Sequence, residues 1–213
     1  VIGACRRTIR LLYIAVSLAL SVSARAQTYH EGEHYERLEP PRAVSSAAKV
    51  EVIEFFYYGC VVCYEAEPQI VRWLSQKGSG VQFVRIPAVP NESWAGFART
   101  FYALEAIGEL ARLHWPLYDN HHFDGRRLDE EANLLQWLAS NGVDAQRFRE
   151  IRESAAVAAQ LGEAKKMLET YAVKRVPSFV VGGKYVTSAS QAGSTLEMMK
   201  VVDFLVGRVE SGK

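Results

Sequence analysis

Val50-Glu51-Val52-Ile53-Glu54-Phe55-Phe56-Tyr57-Tyr58-Gly59-Cys60-Val61-Val62-Cys63 is the stretch on which the reading of this chain turns. Val50 to Phe56 is rich in Val, Ile and Phe, side chains that suit the pleated surface of a strand. Helical character follows from Cys63 to about Gln76, with Ile70, Val71, Trp73 and Leu74 as apolar positions. Cys60 and Cys63 therefore stand where a strand becomes a helix. A Cys-x-x-Cys pair at such a junction points to a redox-active dithiol. The unpaired N–H groups of a helix start, and the positive end of its dipole, favour a thiolate there. The thiolate is the form that attacks a disulfide.

The chain has 213 residues, 49% of them hydrophobic and 23% charged, with a formal net charge of +1. This is an ordinary globular composition, long enough for a sizeable core. It carries no basic footprint, so no nucleic-acid partner is expected. Arg6, Arg7 and Arg10, the apolar run Leu11 to Leu20, and Ala24-Arg25-Ala26 read as the three parts of a secretory signal peptide. The apolar run is shorter than the roughly 20 residues of a membrane-spanning helix. We expect residues 1–26 to be removed after Ala26, taking Cys5 with them and leaving Cys60 and Cys63. A disulfide stabilises mainly by closing a long loop, and a two-residue spacer closes almost none. In an oxidising compartment the pair is there for exchange. A zinc site would need further ligands, and His114, His121 and His122 lie in a helical segment without paired spacing. No metal and no cofactor is expected.

Residues 27–48 read as a polar N-terminal arm with room for one short strand. Residues 49–90 read as strand, helix, strand, a βαβ unit in which Pro68 should kink the helix and Lys77-Gly78-Ser79-Gly80 should end it. Residues 91–171 turn helical. Phe97, Phe101, Leu104 and Ile107 recur at helical spacing, Asn141-Gly142 reads as a stop, Asp144 as a cap, and Ala155 to Met167 as a further helix. Residues 172–213 return to strands. Val176 to Val181 and Lys184 to Thr187 flank Gly182-Gly183 as a hairpin, and Thr195 to Val209 is a last amphipathic helix.

This β-α-β, helices, β-β-α order is that of an α/β protein. With Cys-x-x-Cys at the first junction it resembles a thioredoxin-like fold with a helical domain inserted at 91–171. From residue 27 to 213 the chain further resembles the DsbA family, periplasmic thiol oxidases that donate disulfides to exported proteins. The resemblance rests on Val52-Ile53-Glu54-Phe55-Phe56 ahead of the cysteines and on Arg175-Val176-Pro177-Ser178. It extends to the hairpin from Phe179 to Tyr185, and to Tyr29, Gly32, Tyr35 and Leu38 in the arm. It implies that Cys60 is the attacking thiol and Cys63 the resolving one. It implies a cis Val176-Pro177 bond that presents the Val176 backbone to an extended substrate. It also implies a buried Glu54 beneath the cysteines, paired with Arg85 and able to accept or relay the Cys63 proton. Tyr57, Tyr58, Trp94 and Phe97 are candidates for an apolar groove. The implied partners of this periplasmic monomer are reduced, unfolded exported proteins and a DsbB-like quinone-linked membrane oxidase.

One departure concerns the dithiol itself. The family usually carries Pro-His between its cysteines, and this chain has Val61-Val62; Gly59 stands where an aromatic is common. A histidine there can give a hydrogen bond or positive charge to the thiolate, and Val62 can give neither. Losing one charge-assisted contact, roughly 1.5–3 kcal/mol, makes the disulfide less oxidising by about 30–65 mV. The alternatives are a reductase or isomerase of less oxidising potential, and a non-catalytic chaperone or binding module. Isomerases of this kind often dimerise through an added domain, for which residues 27–48 are too few. Two retained cysteines in a cis-proline-like context argue against the binding module.

Overall fold

All seven residues of strand β2 (Val50–Phe56) are buried, so it is covered on both faces of its sheet. The computed structural model describes residues 28–45 and 48–212; the expected signal peptide and Cys5 lie outside them. The other strands are β1 (Glu36–Arg37), β3 (Val81–Pro87), β4 (Ser178–Val181) and β5 (Tyr185–Ser188). They form one five-stranded sheet in the order β1-β5-β4-β2-β3. β3 runs parallel to β2 and β4 antiparallel to it. The parallel pair is joined by α1 (Val61–Lys77), the crossover that parallel strands require.

Five helices lie between β3 and β4: α2 (Ala95–Ala106), α3 (Leu110–His122), α4 (Glu131–Ser140), α5 (Ala145–Arg152) and α6 (Ala155–Thr170). The chain closes with α7 (Ala189–Ala192) and α8 (Thr195–Glu210). Two apolar clusters fill the interior. One joins Ile53, Phe55 and Phe56 of β2 to Phe101, Leu104, Leu117, Leu138 and Phe148 of the helical segment. The other joins Val52, Phe179 and Val181 to Ile70 and Trp73 of α1 and to Val202 and Leu205 of α8. Local signals set the helix ends. The Asp144 carboxylate accepts from the N–H groups of Gln146 and Arg147, and Asn141 ends α4.

Register places the functional end of the sheet. Phe55 pairs with Ser178 across β2 and β4. The start of β4, just after Val176-Pro177, is thereby fixed beside the end of β2, just before the cysteines. In the parallel pair Glu54 faces Arg85.

Three readings of the sequence change. The first helix begins at Val61, not Cys63, because Cys60 is its N-cap. The arm is more firmly held than its polarity suggested: Tyr29, Tyr35 and Leu38 are buried. Its Tyr35 hydroxyl accepts from Arg208 at 2.6 Å, and the Arg42 N–H donates to the Gly183 carbonyl at 2.8 Å. Tyr58 and Phe97, two of the four groove candidates, are 1% and 4% exposed and belong to the core.

The arm's anchor can be tested at Gly183, which has φ +63 and would place a Cβ 2.3 Å from the Arg42 carbonyl oxygen. Gly183→Ala should cost at least about 1–2 kcal/mol and lower the urea midpoint; an unchanged midpoint would contradict this close approach.

Candidate active site

β2 ends at Phe56, and Tyr57-Tyr58-Gly59 carries the chain to α1. The Cys60 N–H closes this turn on the Tyr57 carbonyl at 3.0 Å. Tyr57 stacks on Trp94 at 3.9 Å, and its ring lies over Gly59, where a Cβ would meet it at 2.5 Å. Glycine at 59 is what lets the ring sit there. Tyr57 and Trp94 are half-buried beside the dithiol. On the first turn of α1, Tyr64 stacks between Trp115 and His122 and donates to Asp119 at 3.0 Å.

Cys60 caps α1 with its sulfur, which accepts from the Cys63 N–H at 3.4 Å. Both thiols are free; Cys60 is half-buried and Cys63 is buried. The Cys60 thiol is lowered to about 7 by hydrogen bonding from the Cys63 thiol and, against its own burial, from the Cys63 and Val62 N–H groups. The Glu65 carboxylate works against the thiolate. Val62 thus contributes through its backbone and not its side chain. Burial pushes the Cys63 thiol well up, and its hydrogen bond to Cys60 adds to that. The arrangement separates the pair into a half-buried sulfur that favours the thiolate and a buried thiol.

The Val176-Pro177 bond is cis, and the Cys60 thiol lies 3.7 Å from the Val176 carbonyl oxygen. The proline loop and the dithiol, far apart in sequence, form one site. The exposed side chains of Val61 and Val62 stand beside it.

Beneath Cys63 lie two buried carboxylates and the partly exposed Arg85. Arg85 donates from Nε to Glu54 at 2.9 Å and from Nη2 to Glu67 at 2.6 Å. Glu54 is 1% exposed and Glu67 3%. Burial pushes the Glu54 carboxyl up to about 7 against the pull of Arg85, and the charge on Glu67 adds to the rise. Its own charge is felt at Cys63, whose thiol it helps to raise. Burial also opposes charge on Glu67, but His114 and Arg85 outweigh it and hold this carboxyl below the usual range. The pairing of Glu54 with Arg85 follows the sequence reading. Glu67 was missed; the signal for it was its place four residues after Cys63, on the same buried face of α1.

Titrating the thiolate absorbance of the reduced protein should show a Cys60 transition centred near 7, moved lower by Val62→His. A wild-type midpoint near ~3.5, the value of the most acidic dithiols of this type, would contradict hydrogen bonding from the Cys63 thiol and the helix start as the main cause.

Comparison with known proteins agrees with this geometry. Residues 69–199 match the family model described as DSBA-like thioredoxin domain. The thiol:disulfide interchange protein DsbA of Pseudomonas aeruginosa is 34% identical over 201 residues, 94% of this chain and 95% of the relative. That of Burkholderia cepacia is 32% identical over 210 residues, 98% of this chain and 99% of the relative. The crystal structure of Pseudomonas aeruginosa DsbA superposes with a TM-score of 0.80 at 34% identity, covering 86% of this chain and 96% of that one. The thioredoxin-like fold, the Cys60–Cys63 dithiol and these full-length relatives converge on one conclusion: the chain belongs to the DsbA family of thiol:disulfide oxidoreductases.

Proposed function

We propose that this chain is a periplasmic oxidase that introduces disulfides into reduced, unfolded exported proteins. It acts as a monomer, with Cys60 and Cys63 as catalytic residues and Val176 and Pro177 as the substrate-binding loop. The observation that carries this reading is the Cys60 sulfur at the start of α1, backed by buried Cys63 and 3.7 Å from the Val176 carbonyl. The shared name of the curated relatives, thiol:disulfide interchange protein, supports it and does not favour the reductase or isomerase alternative.

The reaction begins with the Cys60–Cys63 disulfide. A substrate thiolate attacks the Cys60 sulfur, the Cys60–Cys63 bond breaks, and Cys63 leaves as a thiolate that takes up a proton. A second substrate thiolate then attacks the substrate sulfur of the mixed disulfide and expels the Cys60 thiolate. The substrate loses two electrons and the dithiol gains them. The low pKa of Cys60 makes it the better leaving group in this last step. Glu54 is the acid beneath Cys63 that supplies its proton, since its carboxyl is poised near 7. The backbone of Val176 holds the substrate segment beside Cys60. A DsbB-like quinone-linked membrane oxidase restores the disulfide by the same exchange run backwards.

Oxidised protein mixed with a reduced, unfolded substrate should form substrate disulfides at a rate that Cys60→Ala abolishes. Cys63→Ala, mixed instead with a disulfide-bonded substrate, should accumulate mixed disulfides through Cys60, because no second thiol is present to release them. A Cys60→Ala variant that performs as well as wild type would refute thiol catalysis.

A further inference from the structure

Two buried side-chain atoms beneath the dithiol lack a hydrogen-bond partner: Glu67 Oε2 and His114 Nε2. They face each other at 3.6 Å. His114, on α3, is 6% exposed, so bulk water solvates neither atom. Its other ring nitrogen, Nδ1, is 2.7 Å from the Tyr58 hydroxyl. If Nδ1 carried the proton, the lone pair of Nε2 would be aimed at a carboxylate, which is repulsive. A Tyr58 hydroxyl that donates to Nδ1 instead puts the proton on Nε2, directed at Glu67. Tyr58 keeps its proton, because burial raises its hydroxyl well above the ordinary value. His114 stays neutral, because burial lowers its imidazole.

The contacts form a continuous chain: Tyr58, His114, Glu67, Arg85, Glu54. It contains two acids and one guanidinium. With both acids charged, one buried negative charge would have no counter-charge, so the pair retains one proton near neutral pH. Glu67 has Arg85 on one oxygen and His114 facing the other, while Glu54 shares the same Arg85.

We propose that His114 is a positioning residue for thiol exchange. Its Nε2–H keeps the negative charge of the acid pair on Glu67 and so leaves Glu54, beneath Cys63, as the acid with the exchangeable proton. The inference rests on the exchange function proposed above and names the group that sets it up. When the Cys60–Cys63 bond breaks, the Glu54 carboxylic acid gives its proton to the departing Cys63 thiolate, leaving a carboxylate and a thiol. During re-oxidation the carboxylate takes the proton back as the Cys63 sulfur attacks Cys60. The groups acting on Glu54 are Arg85 from β3, Glu67 and Cys63 from α1, Tyr118 from α3, and Tyr58 just past β2. Those around His114 are Glu67, Arg85 and Tyr58, within a shell of Phe56, Phe101 and Tyr118 rings.

The test is rapid-mixing kinetics of the reduced full chain with oxidised glutathione, which separates attack by Cys60 from closure by Cys63, measured against pH for wild type, His114→Phe and His114→Gln. Glutamine keeps an N–H donor toward Glu67; phenylalanine does not. In His114→Phe charge moves toward Glu54, so the closure profile should shift to lower pH by about one unit, the size of one charge-assisted contact. The Cys60 attack profile should stay in place, and His114→Gln should retain the wild-type closure profile. An unshifted closure profile in His114→Phe, or an equal shift in His114→Gln, would overturn the assignment while leaving the exchange function intact. A wild type that does not exchange at all would overturn both. Nitrogen-15 NMR of the histidines in wild type gives a readout independent of variant folding: a proton on Nε2 of His114 is expected, and a proton on Nδ1 would overturn the inference.

Discussion

The sulfur of Cys60 is the N-cap of a helix, and the rest of the structure exists to put it there. A thiolate is stabilised at that point only if β2 ends and α1 begins within a few residues. The Val176-Pro177 loop lies alongside because Phe55 pairs with Ser178, which fixes the start of β4 beside the end of β2. In the disulfide the same sulfur carries no charge, so the helix start favours the reduced form selectively. That preference is what makes the disulfide an oxidant. Because the Cys60 thiol is depressed, to about 7, the gain is complete above the range of an unfolded thiol and is lost as pH falls through that value.

The buried charges oppose stability. Burying Glu54 and Glu67 against the partly exposed Arg85 costs more in desolvation than a well-packed apolar set of the same volume would. Their arrangement is explained by what lies above them, since Glu54 acts on Cys63 and α1 carries both Cys63 and Glu67 on one face. The site thus has two layers. The Cys63 thiol and backbone N–H groups stabilise the charge on Cys60, and the charge of the side-chain network below is felt at Cys63.

Much of this was legible in the sequence because the decisive signals were local. Cys-x-x-Cys after an apolar run, the Gly182-Gly183 turn and the Asp144 cap each declare themselves within a few residues. Glu54 stood out as an acid inside an apolar strand. Glu67 did not, since Glu65, a solvated acid two residues earlier, looks the same until the helix face is known. His114 could be counted but not placed, because its partners Tyr58 and Glu67 come from another part of the chain. The aromatics show the same limit. Tyr57 and Tyr58 are neighbours, yet one lies beside the dithiol and the other is core, a difference set by packing against Trp94 and His114. The arm looked loose because its buried residues, Tyr29, Tyr35 and Leu38, follow no strand or helix period.

The central claim is that the Cys63 thiol and the helix start, without a histidine between the cysteines, set the oxidising strength of this dithiol. The most direct measurement is the redox potential from equilibrium with glutathione. The expected value is more negative than the about −120 mV of DsbA by about 30–65 mV. A potential at or above about −120 mV would contradict the account, because Val62 would then have replaced a charge-donating side chain at no loss of oxidising power.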